Sequence, residues 1–439
     1  LPWFFSCRAG PIDGARAYRD AGARCDAGAG CQPIWLERVD AADGRPALMR
    51  PGSGVSSLCV HYARPWRMLS HCSGRQRARE AVRASLRCRM KISPVPAAPF
   101  RHLQRLTDNV GVLERAHGIV PRYERGYRVD DVAHGLVVVC REPSPSADLI
   151  TLGRRYLYFL ARAQAADGKF RNRLGDDRRW RGTPEVQDAW GRSLWALGTA
   201  AAHGPTEGIR AEARALFDAS ARIGSPYLHS MAFAALGAAE ILERWPGDQG
   251  ALSLLATAGT VIGEPSADAA WPWPAPRLSY ANASIAEAVI VTGEKLGNGD
   301  LLRNGLRMLD WLLASETRNG HLSVVPDEGW SRGDDRPAFD QYPSQVAALA
   351  DACMRAAAVT GDNSWLTGVE MSVTWLLGDN DAGIAMLDSA TGGCSDALSR
   401  TSRSRNQGAE STLAMISVLQ QGANLRARGF GTPASLTSG

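Results

Sequence analysis

The chain contains 439 residues, of which 45% are hydrophobic and 22% charged, and this length fits either one helical barrel or two smaller domains. The composition is ordinary for a soluble globular protein with a large core. The net charge is +5, but most of the basic excess lies in the first ninety residues, so a nucleic-acid ligand is not indicated.

Signals for membrane insertion, secretion or a bound cofactor are lacking in the sequence. No apolar run approaches the ~20 residues that a membrane-spanning helix needs, and the opening Leu1-Pro-Trp-Phe-Phe5 is too short for the core of a signal peptide. The nine cysteines match no zinc-site spacing, and the Gly392-Gly393 turn lacks the strand and lysine of a P-loop. We therefore expect a cytoplasmic protein with no membrane span, no metal and no cofactor.

Residues 1–92 differ in texture from the rest of the chain. Up to residue 90 they contain no lysine, are crowded with Arg, Gly, Ala and Cys, and show no sustained helical or strand periodicity. One interpretation is a small accessory domain. The interpretation that we favour is an N-terminal extension that is poorly ordered or mis-translated, through a mis-set start or a reading-frame shift.

From Pro94 onward the sequence is typical of helices, with Ala- and Leu-rich stretches separated by Gly, Pro and Asp turns. Two helix types alternate. Residues 149–163 represent the first type, in which apolar residues form one stripe, as expected for an outer helix with one wet face. Residues 231–239 represent the second type, which is apolar nearly all round and is therefore expected to be buried on both sides.

Six helices of the second type each follow a short polar cluster. The clusters are marked by Asp131, Asp188, His229, Asn282, Asp340 and Glu410. Successive markers are far enough apart for one helical hairpin and its loop. The pattern predicts an all-α fold, an (α/α)6 barrel or six-hairpin toroid, over residues 93–425, with a flexible tail at 426–439.

Four of the six clusters place an acid near the start of a buried helix. The candidate catalytic residues are Asp131, Asp188, Asp340 and Glu410. If the buried helices run parallel, these carboxylates converge on one mouth of the barrel, at the positive ends of the helix dipoles. Helix capping is the alternative role for any single acid. Glycoside cleavage needs a proton-donating acid and a second carboxylate, which a group of converging acids can supply.

Aromatic, amide and basic residues accompany these acids. Flat rings stack on the C–H faces of sugars and polar side chains bond sugar hydroxyls, so the combination predicts a carbohydrate site. The candidate sugar-binding residues are Tyr127, Asp130, Trp180, Trp190, Arg192, His229, Trp271, Trp273, Tyr280, Asn282, Gln341, Asn406 and Gln407. Core packing is the alternative for Trp190, and for His229 a structural role is favoured over proton transfer.

Nine segments of the helical region carry a family resemblance. They are residues 102–108, 126–131, 177–180, 188–198, 271–273, 339–341, 378–381, 391–393 and 406–412. In these segments the chain resembles a bacterial family of six-hairpin barrel modules that occur fused behind, or encoded beside, GT-B-type glycosyltransferases. The resemblance implies the wider six-hairpin glycosidase-like superfamily, with a carbohydrate-active site at the barrel mouth.

The chain departs from this family at some of its polar clusters. It has Gln187-Asp-Ala189 where relatives read Glu-Asp-Ser, and Tyr280-Ala-Asn-Ala-Ser284 where they read Tyr-Asp-Asn-Ala-Arg. It also has Asp130-Asp-Val-Ala-His134 in place of Asp-Asp-Asn-Ala-Arg. Two acids are therefore missing, which implies an altered substrate or lost activity if either acid carries the chemistry in relatives.

The leading hypothesis is a glycoside-processing enzyme, hydrolase-like, that acts on an oligosaccharide or glycoconjugate. The alternatives are a non-catalytic sugar-binding or scaffold partner of a glycosyltransferase, and a part of the glycosyltransferase activity itself. Carboxyl groups that share one pocket favour the hydrolase. Acids that are scattered, each capping its own helix, favour the binding module.

Overall fold

The structure is a computed structural model that describes residues 95–428, all within the compact unit Cys72–Gly439. The predicted N-terminal extension at 1–92 lies outside the described residues, as does most of the predicted tail at 426–439. The last helix runs to Ala427, two residues beyond the predicted end of the barrel.

Twelve α-helices account for most of the described chain. They are α1 (Arg101–Leu106), α2 (Val129–Cys140), α3 (Ala147–Ala163), α4 (Asp188–His203), α5 (Glu207–Ser220), α6 (Leu228–Arg244), α7 (Gln249–Ile262), α8 (Asn282–Lys295), α9 (Gly299–Ser315), α10 (Pro343–Thr360), α11 (Leu366–Leu376) and α12 (Ala409–Ala427). Short 3-10 helices lie at Tyr123–Arg125 and Asn363–Trp365.

The even-numbered helices form a closed inner ring. Each contacts the next, from α2 through α4, α6, α8 and α10 to α12, which contacts α2 again. The odd-numbered helices pack outside the ring, each against its neighbour in sequence, and α1 takes the sixth outer position against α12. The predicted all-α fold, an (α/α)6 barrel, is confirmed.

The burial of side chains agrees with the two helix types predicted from the sequence. In outer helix α3, Leu152, Tyr156 and Leu160 are buried while Arg154 is exposed, as an amphipathic stripe requires. In inner helix α6, every residue from Ser230 to Leu242 is buried.

Close packing within the ring depends on small residues. Helices α4 and α6 approach so closely that a Cβ atom on Gly198 or on Gly237 would clash with the backbone of the other helix. The alanine- and glycine-rich inner sequences therefore allow the ring to close with few large side chains between these two helices.

Eleven two-residue strands lie in the connecting loops. They are β1 (Ala116–His117), β2 (Val120–Pro121), β3 (Tyr127–Arg128), β4 (Arg173–Leu174), β5 (Trp180–Arg181), β6 (Arg277–Leu278), β7 (Thr317–Arg318), β8 (His321–Leu322), β9 (Trp330–Ser331), β10 (Leu387–Asp388) and β11 (Gly393–Cys394). All pair antiparallel: β1 with β2, β7 with β8, β10 with β11, β6 with β9, and β3, β4 and β5 in that order. Strands this short have no detectable alternation of polar and apolar residues, so the sequence could not reveal them.

The strands lie at the end of the barrel where the inner helices begin. Most of them lie in the long loops that lead from an outer helix to the next inner helix, whereas the loops from inner to outer helices are short. The long loops therefore gather around the N-termini of the inner helices. Within residues 95–428, no helix combines the length and the apolar character needed to cross a bilayer.

Candidate functional site

A cavity of about 770 Å³ opens at the end of the barrel where the inner helices begin. Its wall includes Asp130 and Asp131 of α2, Asp188 and Arg192 of α4, His229 and Ser230 of α6, Tyr280 just before α8, Ser344 of α10, and Glu410 and Ser411 of α12. All six inner helices thus contribute residues at or beside their first turns. Polar residues that are hundreds of positions apart in sequence meet in this one space.

The acids of the cavity do not cap their helices. The cap residues of α2, α4 and α12 form no side-chain cap hydrogen bond, and these residues are Arg128, Gln187 and Gly408 rather than the candidate acids. The outer helices α3, α5, α7 and α9 are all capped by a side chain. Asp131, Asp188 and Glu410 line the same cavity, and none of the three is the cap residue of its helix.

Asp130 and Asp131 are adjacent acids with opposite electrostatics. Burial tends to raise the pKa of Asp130, but Arg128 outweighs it through Nε and Nη2, which lie 2.9 and 2.6 Å from the two carboxylate oxygens and hold that pKa below its usual value. Burial raises the pKa of Asp131 well above its usual value, and the negative charges of Asp130 and Glu410 add to the effect. The surroundings therefore shift the pKa values of these adjacent acids in opposite directions, that of Asp130 toward the ionised form and that of Asp131 toward the protonated form.

Asp188 belongs to a second polar group on the wall. The Tyr280 hydroxyl donates a hydrogen bond to Asp188, and burial together with this carboxylate raises the pKa of Tyr280. The guanidinium of Arg192 lies 4.3 Å from the ring centre of Phe233 and is held among the charges of Asp188, Asp130 and Glu410. This arrangement offers fixed donors and acceptors to the hydroxyls of a sugar.

His229 stacks on Tyr280, with ring centres 4.2 Å apart. Its Nε2 lies 2.7 Å from the backbone oxygen of Tyr280. Because a carbonyl oxygen only accepts, Nε2 carries the proton and Nδ1 is the basic nitrogen. Burial lowers the pKa of His229, so the ring is neutral at pH 7.

Three acids of the cavity were not among the predicted site residues: Glu114, in the loop after α1, and the pair Asp327 and Asp396. Asp327, from the loop before α10, accepts a hydrogen bond from Gln345 Nε2 at 2.9 Å, and burial followed by the charge of Glu410 raises its pKa to about 6. Asp396 accepts from the Gly408 backbone and the Ser411 hydroxyl, both at 2.6 Å, and thereby fixes the start of α12 beside Glu410. Both lie in loops without periodicity, and no local signal distinguishes them from other loop acids.

Asp340 is placed differently from the other candidate catalytic residues. It is exposed and does not line the cavity. The next residue, Gln341, is fully buried, accepts from Trp375 Nε1 at 3.0 Å and pairs its backbone with Leu398. Since neighbouring side chains of an extended segment point in opposite directions, the inward Gln341 leaves Asp340 facing outward.

The predicted aromatic residues are mostly packed away from the cavity. Trp190 is fully buried, and Trp271 and Trp273 pack around Trp311, with ring centres 5.1 and 5.9 Å away. Large rings bury much apolar surface, which favours these positions in the core.

Two further aromatic candidates also lie off the cavity wall. The Tyr127 ring is buried, and its hydroxyl donates to Asp108 at 2.6 Å. Trp180 packs edge-on against Phe159 at 5.3 Å. Of the predicted aromatic residues, the cavity wall contains Tyr280.

The predicted amides hold loops rather than line the wall. Asn282 Oδ1 accepts from the Ser279 backbone at 2.8 Å, and Asn406 Oδ1 accepts from the Gly118 backbone at 3.0 Å. Gln407 donates to Asp388 at 2.9 Å and accepts from Thr391 at 2.7 Å. Like Gln341, these side chains link segments of the mouth to one another. Within residues 95–428 there is no group of three or more His, Cys, Asp or Glu side chains suited to a metal ion.

Comparisons with known proteins show the fold. No protein family model matches the sequence, and neither does any curated protein. The structure is similar to cellobiose 2-epimerase from Bacillus thermoamylovorans, with a TM-score of 0.55, 10% identity, and coverage of 79% of this chain and 100% of that one. It is also similar to a D-mannose isomerase, with a TM-score of 0.53 and 11% identity over 74% of this chain and 95% of that one. An α-1,6-mannanase from a Salegentibacter species gives a TM-score of 0.52 and 13% identity over 74% and 96%.

Proposed function

We propose that this protein is a carbohydrate-processing enzyme that cleaves a glycosidic bond by carboxyl acid/base catalysis in the cavity. The observation that carries the proposal is the pair of adjacent acids on α2: Arg128 pairs with Asp130 and lowers its pKa, whereas burial and the charges of Asp130 and Glu410 raise the pKa of Asp131. Carboxyl groups whose surroundings drive their pKa values apart are the arrangement that acid/base catalysis at neutral pH requires.

Three carboxyl groups of the cavity have distinct roles in this mechanism. Asp131 donates its proton to the glycosidic oxygen as the bond from that oxygen to the sugar carbon breaks. Glu410 lies in the first turn of the neighbouring inner helix and is solvent-accessible, so in this proposal it is the partner that takes a proton from the attacking water. Asp188, Tyr280 and Arg192 hold the hydroxyls of the sugar. Asp340 stays outside the reaction.

Known proteins with this fold support a carbohydrate substrate. The α-1,6-mannanase supports hydrolysis. The epimerase and the isomerase support a second candidate, in which a neutral histidine moves a proton on the sugar itself. The neutral, cavity-facing His229 is the observation that favours this second reaction.

A third candidate is a sugar-binding partner of a glycosyltransferase, or a contribution to the transferase activity. It rests on the resemblance of nine segments to modules that accompany such enzymes and on the two acids missing from this chain. Under this proposal the cavity binds an oligosaccharide or glycoconjugate without cleaving it.

The test incubates purified protein with α-1,6-mannan, cellobiose and mannose. Hydrolysis of mannan or cellobiose increases reducing ends, whereas epimerisation or isomerisation converts cellobiose or mannose into an isomer with no new reducing ends. Binding without turnover yields heat in calorimetry but no product.

Three matched variants assign the chemistry. We expect Asp131→Asn and Glu410→Gln each to lower kcat by about 10²- to 10⁴-fold, the usual loss when a general acid or base is removed. Asp340→Asn, a loop acid outside the cavity, should retain wild-type kcat. Equal activity in all four proteins would show that neither Asp131 nor Glu410 is catalytic.

A further inference from the structure

A second concave surface adjoins the cavity and has a different charge. It is a pocket of about 310 Å³ whose wall contains Arg115, Arg122, Arg125 and Arg173, which we call the arginine shelf. The two spaces share Glu114, Arg115 and Asp396 as lining residues, so the shelf lies directly beside the cavity.

Positive charge on the shelf exceeds the negative charge that could neutralise it. Four guanidinium groups share the wall with two carboxyl groups, Glu114 and Asp396. Buried Glu114 serves two arginines, since its oxygens lie 2.7 Å from Arg173 Nη1 and 3.5 Å from Arg115 Nε. Arg125 forms no ion pair with any residue in the described range 95–428.

The ion pair of Arg122 on the shelf is weak. Arg122 lies 2.6 Å from Glu124, but both side chains are largely exposed, and exposed pairs of this kind contribute little. An incoming anion can therefore compete for Arg122 at low cost.

The shelf is organised by backbone structure rather than by chance surface side chains. Arg122 directly precedes the short helix Tyr123–Arg125 and Arg125 is its last residue; the helix follows the β1–β2 hairpin. Arg173 in β4 donates Nη1 to the backbone oxygen of Arg125 at 2.8 Å, which ties the two sides of the shelf together. Guanidinium groups held in this way can bind phosphate or carboxylate oxygens in a bidentate manner.

The cavity has the opposite charge balance. Its wall contains seven carboxyl groups and three guanidinium groups. An anionic group is repelled from this wall and attracted to the shelf, whereas an uncharged sugar ring is accepted by the hydroxyl-binding residues of the cavity. The two neighbouring surfaces therefore favour one orientation of a ligand that is charged at one end.

We propose that the arginine shelf binds the anionic group of a saccharide, a phosphate ester or a carboxylate, while an uncharged ring of the same saccharide occupies the cavity. The inference rests on the proposed function for its cavity half and adds the substrate class, an anionic glycan. It requires no catalytic step.

The test measures binding by calorimetry with defined probes: mannose, mannose 6-phosphate, glucose, glucuronate and inorganic phosphate. We expect the charged sugars to bind at least roughly tenfold more tightly than their neutral parents at low ionic strength, with the preference falling as salt screens the exposed charges. The phosphate and carboxylate arms show which anion the shelf prefers.

Variants locate the preference. Arg125→Gln and Arg122→Gln, at positions that line the shelf and not the cavity, should each remove most of the charged-over-neutral preference while leaving the affinity for mannose or glucose within about twofold. Arg303→Gln is the matched control, because Arg303 on outer helix α9 is exposed and does not line the shelf. Circular dichroism confirms that each variant folds.

Two outcomes would overturn the proposal. One is an equal affinity for charged and neutral sugars, or a preference that survives both shelf substitutions. The other is inorganic phosphate binding as tightly as mannose 6-phosphate, since the ring would then add nothing. Asp131→Asn separates this proposal from the catalytic one. If the wild type shows no turnover, the catalytic proposal fails. If the wild type and Asp131→Asn nevertheless show the same preference for charged sugars, the proposal for the arginine shelf is supported.

Discussion

The buried carboxyl groups at the two ends of the inner ring differ in their ion pairs. At the mouth, no described residue forms an ion pair or hydrogen bond with the carboxyl group of Asp131, and burial raises its pKa. Farther along the inner helices lies the base network, which we define as Arg141, Glu240, Glu287, Asp351 and Arg355. There Arg141 Nη1 lies 3.0 and 2.9 Å from the two oxygens of Asp351, and Arg355 pairs with Glu240.

The contrast shows that neighbouring positive charge can reverse the effect of burial on the pKa of an acid. Burial works to raise the pKa of Glu240, yet Arg355 and His203 bring it down to about 2. At Asp131 the negative charges of Asp130 and Glu410 add to the effect of burial and outweigh the opposing charge of Arg128. Compensated acids link the inner helices, whereas the surroundings of Asp131 shift its pKa toward the protonated form that a proton donor needs.

The largest expected effect on stability comes from breaking one pair of the base network. Asp351→Ala removes the partner of Arg141 and an acceptor of Gln421 Nε2, which lies 2.7 Å away. Leaving a buried guanidinium unpaired should lower the free energy of unfolding by roughly 3–5 kcal/mol. Urea unfolding monitored by circular dichroism measures the loss.

The matched change at the mouth is Asp131→Ala, which removes a buried acid without an ion-pair partner. We expect its free energy of unfolding to stay within about 1 kcal/mol of wild type, because little favourable interaction is lost. Similar losses of unfolding free energy in Asp351→Ala and Asp131→Ala would contradict the proposed difference between the two ends.

The next effect is a pH dependence within the base network. Glu287 faces Asp351, Arg355, Arg141 and Glu240; burial, followed by the charge of Asp351, raises its pKa from 4.5 to about 7. The folded state therefore binds more protons than the unfolded state between these pH values, so the stability contributed by Glu287 falls as pH rises through this window.

A Glu287→Gln variant should remove this loss. Its free energy of unfolding relative to wild type should increase by up to about 3 kcal/mol between pH 4.5 and 7, then stay constant. Unfolding curves at several pH values test the slope. A constant difference across the window would mean that Glu287 titrates normally despite its burial.

The smallest expected effect is a change in kcat/KM from a substitution at the mouth of the barrel. Tyr280→Phe deletes the hydroxyl that donates to Asp188. A hydrogen bond to a charged acceptor contributes about 1.5 kcal/mol, so kcat/KM should fall roughly tenfold. Tyr158→Phe is the control, since Tyr158 is 60% exposed on outer helix α3. Unchanged kcat/KM in Tyr280→Phe would remove Tyr280 from the sugar-binding group.

The fold was predictable because its signals are local. The pattern of apolar residues distinguished α3, which has one solvent-facing side, from α6, whose middle is fully buried. The number of polar clusters, six, predicted the number of hairpins. The cavity is harder to predict. Asp327 reaches it through a loop without periodicity, while Trp271 and Trp273, predicted to bind sugar, pack against Trp311 instead. Whether a loop side chain faces a cavity or a core depends on contacts across the fold.

The sequence by itself determined the all-α hairpin architecture and the placing of acids at the starts of inner helices, because periodicity and spacing operate over a few helical turns. Only the tertiary structure decided which acids are compensated. Asp130 has Arg128 two residues away, but the fold alone brings Glu410 close enough to Asp131 to raise its pKa. Electrostatic energies depend on distance in space, and the closed ring makes neighbours of residues at opposite ends of the barrel sequence.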